Sequence, residues 1–591
     1  MRKNITILGI NSAFHESSAC LLSSGKIIAM AEEERFTKIK HAKSPSPKNP
    51  HQLPWNAINY CLSEANIRLD QVDLIGYSFC PELRYKKNTN YHSAYEIPAS
   101  EFGNPLAEQL FYQNLLAIPQ ILGDASFKGK FQFLEHHDCH AASSYYLSGF
   151  NSACTVVIDG IGEFETISVY NCSQRKLEKV YSLEFPNSLG LLWEKFCAFC
   201  GFNAFEAGKL MALAAHGDKK IFDRKFRQLV LNCEPFEVND NLLKLRLLND
   251  FQDLEALLGI PARTEPIVKI DHKTINYAHL VATLQSLTNR VVLDISKHGL
   301  KFGHSSIAIA GGVALNCITI GALGKSQLFE SIFVQPAAND AGTALGAALL
   351  LSNIDINLPY EAAKFSPYLG PNTTPQRDST SSPKSEFGLK DLPRDLANRI
   401  YHGQIIGIAQ GRAEIGPRAL GNRSIIADPR DPRIVTKLSS VIKKRESYRP
   451  VCPVVLSEFA DMWFDIPSCL KCPAKYMLAT VDILPHALSK ISGVVHFDHS
   501  ARVQILKRSD NPLLYDIISE FHQLSGIPIL INTSFNDNSP MVLTKEDAFS
   551  CFLSTELDGV VLEGELLTKQ ELSLPHNIPE TSLKSYFEHL R

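Results

Sequence analysis

No stretch of this chain approaches the roughly 18 consecutive apolar residues that a membrane-spanning helix needs, so a membrane partner is not expected. The opening residues, MRKNITILGINSAFHESSACLL, hold only a short apolar run, Ile5–Ile10, which polar Asn11 and Ser12 break at once. That is no secretory signal, and the expected location is the cytoplasm. An excess of positive charge is also missing: 59 Lys and Arg stand against 62 Asp and Glu, a net charge of −3 that argues against a broad nucleic-acid footprint. Nor is there a cysteine framework. The fourteen cysteines are scattered, and the two CxxC pairs, Cys197/Cys200 and Cys469/Cys472, lie too far apart to read as one zinc module. The first pair sits among Trp193, Phe196 and Phe199, surroundings that suit buried free thiols. What is left is a globular composition, 45% hydrophobic and 20% charged over 591 residues, enough chain for more than one core.

Against that background stands Glu135-His136-His137-Asp138-Cys139-His140, followed by the small-residue run Ala-Ala-Ser-Ser. Four residues advance a helix by about 400°, so His136 and His140 project from one face and can reach one metal ion. The zinc-protease spacing H-E-x-x-H requires Glu at position 137, where this chain has His, and a hydrolytic zinc site is disfavoured. Two histidines need further ligands from elsewhere.

The most informative pattern is a repeat of form. Ile5–Asn11, Ser18–Leu22 and Lys26–Glu32 read as three strands joined by polar or Gly-bearing turns. The run beginning Cys154-Thr-Val-Val-Ile-Asp159-Gly160 repeats the plan, with strands expected at Thr166–Tyr170 and near Lys179–Leu183. A further apolar strand, Ser306-Ile-Ala-Ile-Ala-Gly311-Gly312, runs into Val313–Asn316 and what reads as a helix. Two such meanders with a Gly-Gly turn predict an α/β domain of two related halves folded around a nucleotide. Then PNTTPQRDSTSSPKS, rich in Pro, Ser and Thr, predicts a linker over 371–385 between domains 1–370 and 386–591. After it, a helix Leu392–Tyr401 should lead into a strand Gln404–Gln410.

Residues 401–450 hold ten Lys or Arg against four Asp or Glu. Several of the arginines, among them Arg418, Arg423 and Arg449, stand in Gly/Pro-rich turns. The planar fork of arginine suits phosphate oxygens, so these turns are expected to aim at an anion.

Ten motifs in order then carry a resemblance: AFHESSACLL, EEERFTKIKH, HHDCHAASSYY, VVIDGIGE, SLGLLWE with EAGKLMALAAHG, AGGVALN, ANDAGTALGAA, GRAEIGPRALGNRSIIADPRDP, YRPVCPVV and LINTSFND. Over nearly its whole length the chain resembles the NodU/CmcH family of natural-product O-carbamoyltransferases. That resemblance implies an N-terminal ASKHA (actin-like) domain and a C-terminal YrdC-like domain. It implies one metal ion, usually iron and otherwise another divalent ion, bound by His136, His140, Asp159 and Asp340. The chemistry is sensible on its own terms, since two imidazoles and two carboxylates suit Fe(II), Mn or Zn.

The implied reaction has two stages. Carbamoyl phosphate and ATP, with Mg2+, form carbamoyl adenylate in the second domain, and an acceptor hydroxyl then takes the carbamoyl group in the first. An alcohol needs a base, and His15 matches the family position for it. For the adenylate in the first domain the expected contacts are Lys40, Gly208, Lys209, Gly311, Gly312 and Asn316. For carbamoyl phosphate and ATP in the second they are Arg418, Arg449, Arg502, Asn532, Thr533 and Ser534. The chain departs from relatives in being two residues shorter before His15 and in a shortened loop after Asn536 that lacks the usual Gly-Glu. An ASKHA kinase would need neither the histidine pair nor a basic second domain, and a nucleotide-switched assembly factor is the non-enzymatic alternative. The expected acceptor is a hydroxylated small molecule, not tRNA: Glu32-Glu33-Glu34 beside the His15 region would repel a phosphate backbone.

Overall fold

The computed structural model describes residues 5–355, 365–373 and 391–570. They fall into two units, Met1–Phe365 with Pro467–Pro473, and Ser366–Ile466 with Ala474–Arg591. From residue 374 onward the expected linker lies outside the described residues.

In the first unit, alternating apolar residues form β1 (Thr6–Asn11), β2 (Ser18–Ser23) and β3 (Lys26–Glu32), an antiparallel meander joined by parallel β4 (Leu74–Tyr77) and β5 (Lys130–Phe133). The sheet order is β3-β2-β1-β4-β5. The second sheet repeats it. There β6 (Ser152–Ile158), β7 (Glu165–Ser173) and β8 (Lys176–Glu184) form the meander, and a hairpin β9 (Val230–Cys233) and β10 (Phe236–Val238) stands apart. With β11 (Ser306–Ala310) and β12 (Ser331–Val334) parallel to β6, the order is β12-β11-β6-β7-β8. Both halves thus share one topology, the two related halves expected from the meanders and the duplicated plan that the resemblance implies. Both strands that lead into the site, β1 and β6, are buried along nearly their whole length, as central strands of such sheets must be.

The helices His136–Ser148 and Ala341–Asp355 pack on each other and on these sheets. Their approach is close because position 346 is glycine: a Cβ there would lie 1.8 Å from the Cys139 carbonyl oxygen. This contact seats the start of the second helix, and Asp340 before it, beside the histidine pair.

The second unit is built on a mixed seven-stranded sheet. Its strands are β13 (Ile406–Ala409), β14 (Arg423–Ala427), β15 (Cys452–Leu456), β19 (Gln504–Leu506), β20 (Ile529–Ser534), β21 (Gly559–Leu562) and β22 (Glu565–Thr568), in the order β19-β15-β20-β14-β13-β21-β22. A small sheet of β16 (Phe464–Asp465), β17 (Thr480–Ile483) and β18 (Ser500–Arg502) accompanies it. The helix Leu392–Tyr401 forms as expected, while the strand after it is shorter, Ile406–Ala409. No helix among the described residues is long and apolar enough to cross a membrane.

Candidate metal centre and anion site

His136 and His140 lie one turn apart on the helix that begins at His136, and both are fully buried. Asp159 follows the last residue of β6, and Asp340 immediately precedes the helix Ala341–Asp355. The four converge. His136 Nε2 is 3.6 Å from Asp159 Oδ2 and 3.6 Å from Asp340 Oδ1. His140 Nε2 is 4.0 Å and 3.6 Å from the same two atoms. All four ligand atoms lie within 4.8 Å of one another. A tetrahedron with an edge of about 3.6 Å has its centre about 2.2 Å from each corner, a metal–ligand distance.

Several contacts aim these atoms. His136 Nδ1 is 3.0 Å from the Ser78 carbonyl oxygen, to which it must donate, leaving Nε2 as the basic nitrogen. Asp159 Oδ1 accepts the Gly312 N–H at 2.9 Å, which turns Oδ2 toward the imidazoles. The nitrogens His136 Nε2 and His140 Nε2 are buried without a hydrogen-bond partner, which leaves both lone pairs for a metal ion. Burial and the neighbouring Asp340 push the Asp159 carboxyl up, but the imidazoles outweigh them and hold it at about 2. A chemically mixed N2O2 set, ionised and preformed, fits one divalent ion.

His15 stands at the rim, in the turn between β1 and β2, with Nδ1 4.0 Å from Asp340 Oδ2. The Phe205 ring packs edge-on against it at 4.5 Å between centroids. His137, the third histidine, points elsewhere: Nδ1 is 2.7 Å from Ser168 Oγ, and burial together with the positive potential of His136 keeps its pKa well below the ordinary value. Two acidic groups that close the motifs VVIDGIGE and SLGLLWE, and of which no role was expected, belong here. Glu163, nearly fully buried, accepts the backbone N–H groups of His136 at 3.0 Å and Cys80 at 2.7 Å, and burial lifts its pKa to about 7. Glu194 is raised to about 8 by burial, then by the charges of Asp159 and Asp340.

The residues expected around the adenylate are placed as follows. Gly311 adopts φ +89°, and a Cβ there would lie 2.2 Å from the Ile158 carbonyl oxygen, so glycine is required by β6 itself. Gly312 binds Asp159. Asn316 caps the helix Cys317–Lys325 through Thr319 N–H and donates to Gln285, so its amide holds the fold together. Lys209 pairs with Glu206 at 2.8 Å, and Lys40 and Gly208 are exposed.

In the second unit the basic turns need correction. Arg423 is fully buried and donates to five carbonyl oxygens, those of Gln410, Asn422, Leu543, Pro371 and Gly411. Arg430 forks onto Asp428 and stacks 4.2 Å over Tyr401. Arg423 thus holds the backbone, and Arg430 is tied to Asp428 with one further bond to the Tyr401 carbonyl oxygen. The cations that crowd together are Lys443, Arg445, Arg449 and Arg502. Burial, then Arg449 and Arg502, depress Arg445 to about 9, and burial with Arg445 and Arg449 takes Lys443 well below the usual lysine range. Lys443 Nζ reaches Ser534 Oγ at 3.1 Å and Asn536 Oδ1 at 2.6 Å, which places the cluster at the end of β20. Of the expected clamp, Arg449 and Arg502 belong to this group, and Lys443 and Arg445 complete it. Asn532, Thr533 and Ser534 are the last three residues of β20. Asn532 faces inward and donates to Gln504 Oε1 at 2.7 Å, whereas Thr533 and Ser534 are half-buried. The shortened loop closes on itself through Ser539 N–H and Asp537 Oδ1 at 2.9 Å.

Comparison with known proteins matches the carbamoyltransferase N-terminus profile over residues 6–349 and the carbamoyltransferase C-terminus profile over residues 397–569. Nodulation protein NolNO of Sinorhizobium fredii is 34% identical, over 95% of this chain and 80% of its own length. Nodulation protein NolO of Bradyrhizobium diazoefficiens is 35% identical, over 75% of this chain and 80% of its own. Protein sll1178 of Synechocystis sp. is 34% identical over 95% and 96%.

Proposed function

This chain belongs to the carbamoyltransferase family, and from that premise we propose that it forms carbamoyl adenylate from carbamoyl phosphate and ATP and passes the carbamoyl group to a hydroxyl of a small molecule. One observation carries the reading: His15 and the histidine pair share a single ligand. Asp340 turns one oxygen to His136 and His140 and the other to His15 Nδ1, so the base stands beside the metal position.

In the first stage one water converts carbamoyl phosphate to carbamate and phosphate. The carbamate oxygen attacks the α-phosphorus of ATP, and the bond to pyrophosphate breaks. Lys443, Arg445, Arg449 and Arg502 supply the charge for these anions, with Arg418, Thr533 and Ser534 as further contacts. Four crowded cations repel one another in the ligand-free protein, so an oligoanion relieves a cost already built into the fold. Mg2+ travels with the ATP.

In the second stage the acceptor oxygen attacks the carbamoyl carbon, the bond from that carbon to the AMP oxygen breaks, and His15 takes the hydroxyl proton. Phe205 shields one edge of the imidazole from water. A divalent ion held by His136, His140, Asp159 and Asp340 would supply Lewis acidity toward phosphate or carbonyl oxygens. Gly312 and the Gly311 turn keep Asp159 aimed, and Lys40, Gly208 and Lys209 are candidates for the phosphate of AMP. The chain acts in the cytoplasm.

The test is mass spectrometry of a panel of hydroxylated natural products incubated with the protein, ATP and carbamoyl phosphate. A product heavier by one carbamoyl group is expected. Carbamoyl label appearing in tRNA instead, or phosphorylated product with ADP, would overturn the assignment.

A further inference from the structure

Ser78 follows the last residue of β4 and is completely buried. Its backbone and side chain work in different directions. The carbonyl oxygen receives His136 Nδ1 at 3.0 Å. The hydroxyl oxygen lies 2.9 Å from Thr343 Oγ1 and 3.2 Å from Asn11 Oδ1. Thr343, also buried, stands in the first turn of the helix after Asp340, and its Oγ1 is 2.7 Å from the Asp340 carbonyl oxygen. Asn11, the last residue of β1, turns Nδ2 to the carbonyl oxygens of His15 at 3.2 Å and Glu16 at 3.1 Å.

Donor and acceptor capacity orders these bonds. The Asn11 amide nitrogen is committed to two carbonyl groups, so its oxygen accepts. Ser78 has one hydroxyl proton and gives it to Asn11, so it accepts from Thr343, whose single proton is shared between Ser78 Oγ and the Asp340 carbonyl oxygen; that carbonyl also accepts the Thr343 backbone N–H at 3.0 Å. A continuous chain runs from the Asp340 turn through Thr343, Ser78 and Asn11 to the loop that carries His15. The same Ser78 sets the tautomer of His136. Packing alone would not need any of these hydroxyls at a 0% exposed strand end, where an apolar side chain fills the space without a polar cost.

We infer that Ser78 is a positioning residue. It keys the His136 helix, the Asp340 turn and the His15 loop to one another and so sets the geometry in which the metal is held. The inference rests on the metal site of the proposed function and not on the carbamoyl chemistry.

The experiment is titration of the purified full-length protein with Co(II), followed by visible d–d absorption, without ATP or acceptor. Ser78→Ala removes the hydroxyl and leaves the carbonyl for His136. Thr343→Val removes a hydroxyl at nearly constant shape, and Thr343→Ser restores it. Ser78→Ala and Thr343→Val are each expected to weaken Co(II) binding about 10- to 100-fold and to alter the absorption bands, as loss of an outer hydrogen bond does. Thr343→Ser should stay within about threefold of the parent protein, and the double variant Ser78→Ala/Thr343→Val should cost clearly less than the sum of the singles, since both break one network. Native affinity and bands in both single variants would overturn the inference. So would Thr343→Ser binding as weakly as Thr343→Val, which would mean packing and not a hydrogen bond. Should Ser78→Ala fail to fold by circular dichroism, the Thr343 pair decides the matter. A parent protein that binds no Co(II) overturns the metal site and this inference together. One that binds Co(II) but makes no carbamoyl adenylate sinks the proposed reaction alone.

Discussion

Asp159→Asn separates the metal-binding role of the site from its structural role. The two oxygens of Asp159 do different work: Oδ1 accepts the Gly312 N–H at 2.9 Å, while Oδ2 faces His136 Nε2 at 3.6 Å and His140 Nε2 at 4.0 Å. Asparagine can keep the first contact with its carbonyl oxygen, which leaves its NH2 group in the place of Oδ2. That group donates and cannot coordinate. Structural four-ligand zinc sites bind with about 10–16 kcal/mol, so one quarter is about 2.5–4 kcal/mol, or roughly 60- to 1,000-fold in affinity. The variant should therefore fold, with a melting temperature in the metal-free state within a few degrees of the parent. After dialysis it should carry little metal by mass spectrometry, and its Co(II) titration should move right by that factor. Native affinity in Asp159→Asn would refute the tetrad. Loss of folding would show that the Gly312 contact does not survive the exchange, and the ligand role would then be read from His140→Ala.

Three other outcomes follow from separate parts of the molecule. Arg445→Met removes a cation that burial and its neighbours Arg449 and Arg502 already disfavour, so the melting temperature should not fall, whereas carbamoyl-phosphate-dependent pyrophosphate release should drop by about 30-fold or more. Lys195, wholly buried, donates to the carbonyl oxygens of Leu247 and Asp250, and burial lowers its pKa to about 8. Between pH 8 and 10.5 the folded chain then binds fewer protons than the unfolded one, so this group's contribution to stability rises with pH; relative to Lys195→Met, the parent should gain about 3 kcal/mol over that window in urea unfolding. Gly346→Ala places a Cβ 1.8 Å from the Cys139 carbonyl oxygen, which should cost at least about 1–3 kcal/mol and release metal as the two helices part.

Much of the first unit was legible because its signals are local. The three strands of each meander announce themselves by alternation and by Gly or polar turns, and their observed bounds differ from the expected ones by a few residues. The histidine pair was legible for the same reason, since helical spacing alone puts His136 and His140 on one face. That Asp159 and Asp340 meet them was suggested only by resemblance, because β6 and the helix after Asp340 come together through a contact at Gly346 that spacing does not reveal. Ser78, Asn11, Thr343 and Glu163 were illegible: each is a common residue whose role depends on long-range placement. In the second unit, counting charge located the basic stretch; of the arginines singled out, Arg449 and Arg502 stand in the crowded cluster and Arg423 holds backbone carbonyl groups. A guanidinium satisfies a buried carbonyl or a carboxylate as readily as a phosphate: Arg423 does the first and Arg430 the second. Lys443 and Arg445 carried no turn signal, and their mutual electrostatic cost appears only in three dimensions.

The central claim is that this chain activates carbamate as an adenylate. The direct measurement is pyrophosphate release from ATP by the purified protein, with and without carbamoyl phosphate, in parallel with Arg502→Ala. The account predicts release only when carbamoyl phosphate is present, and its loss in the variant. Release that ignores carbamoyl phosphate, or ADP formed in place of AMP and pyrophosphate, would contradict it.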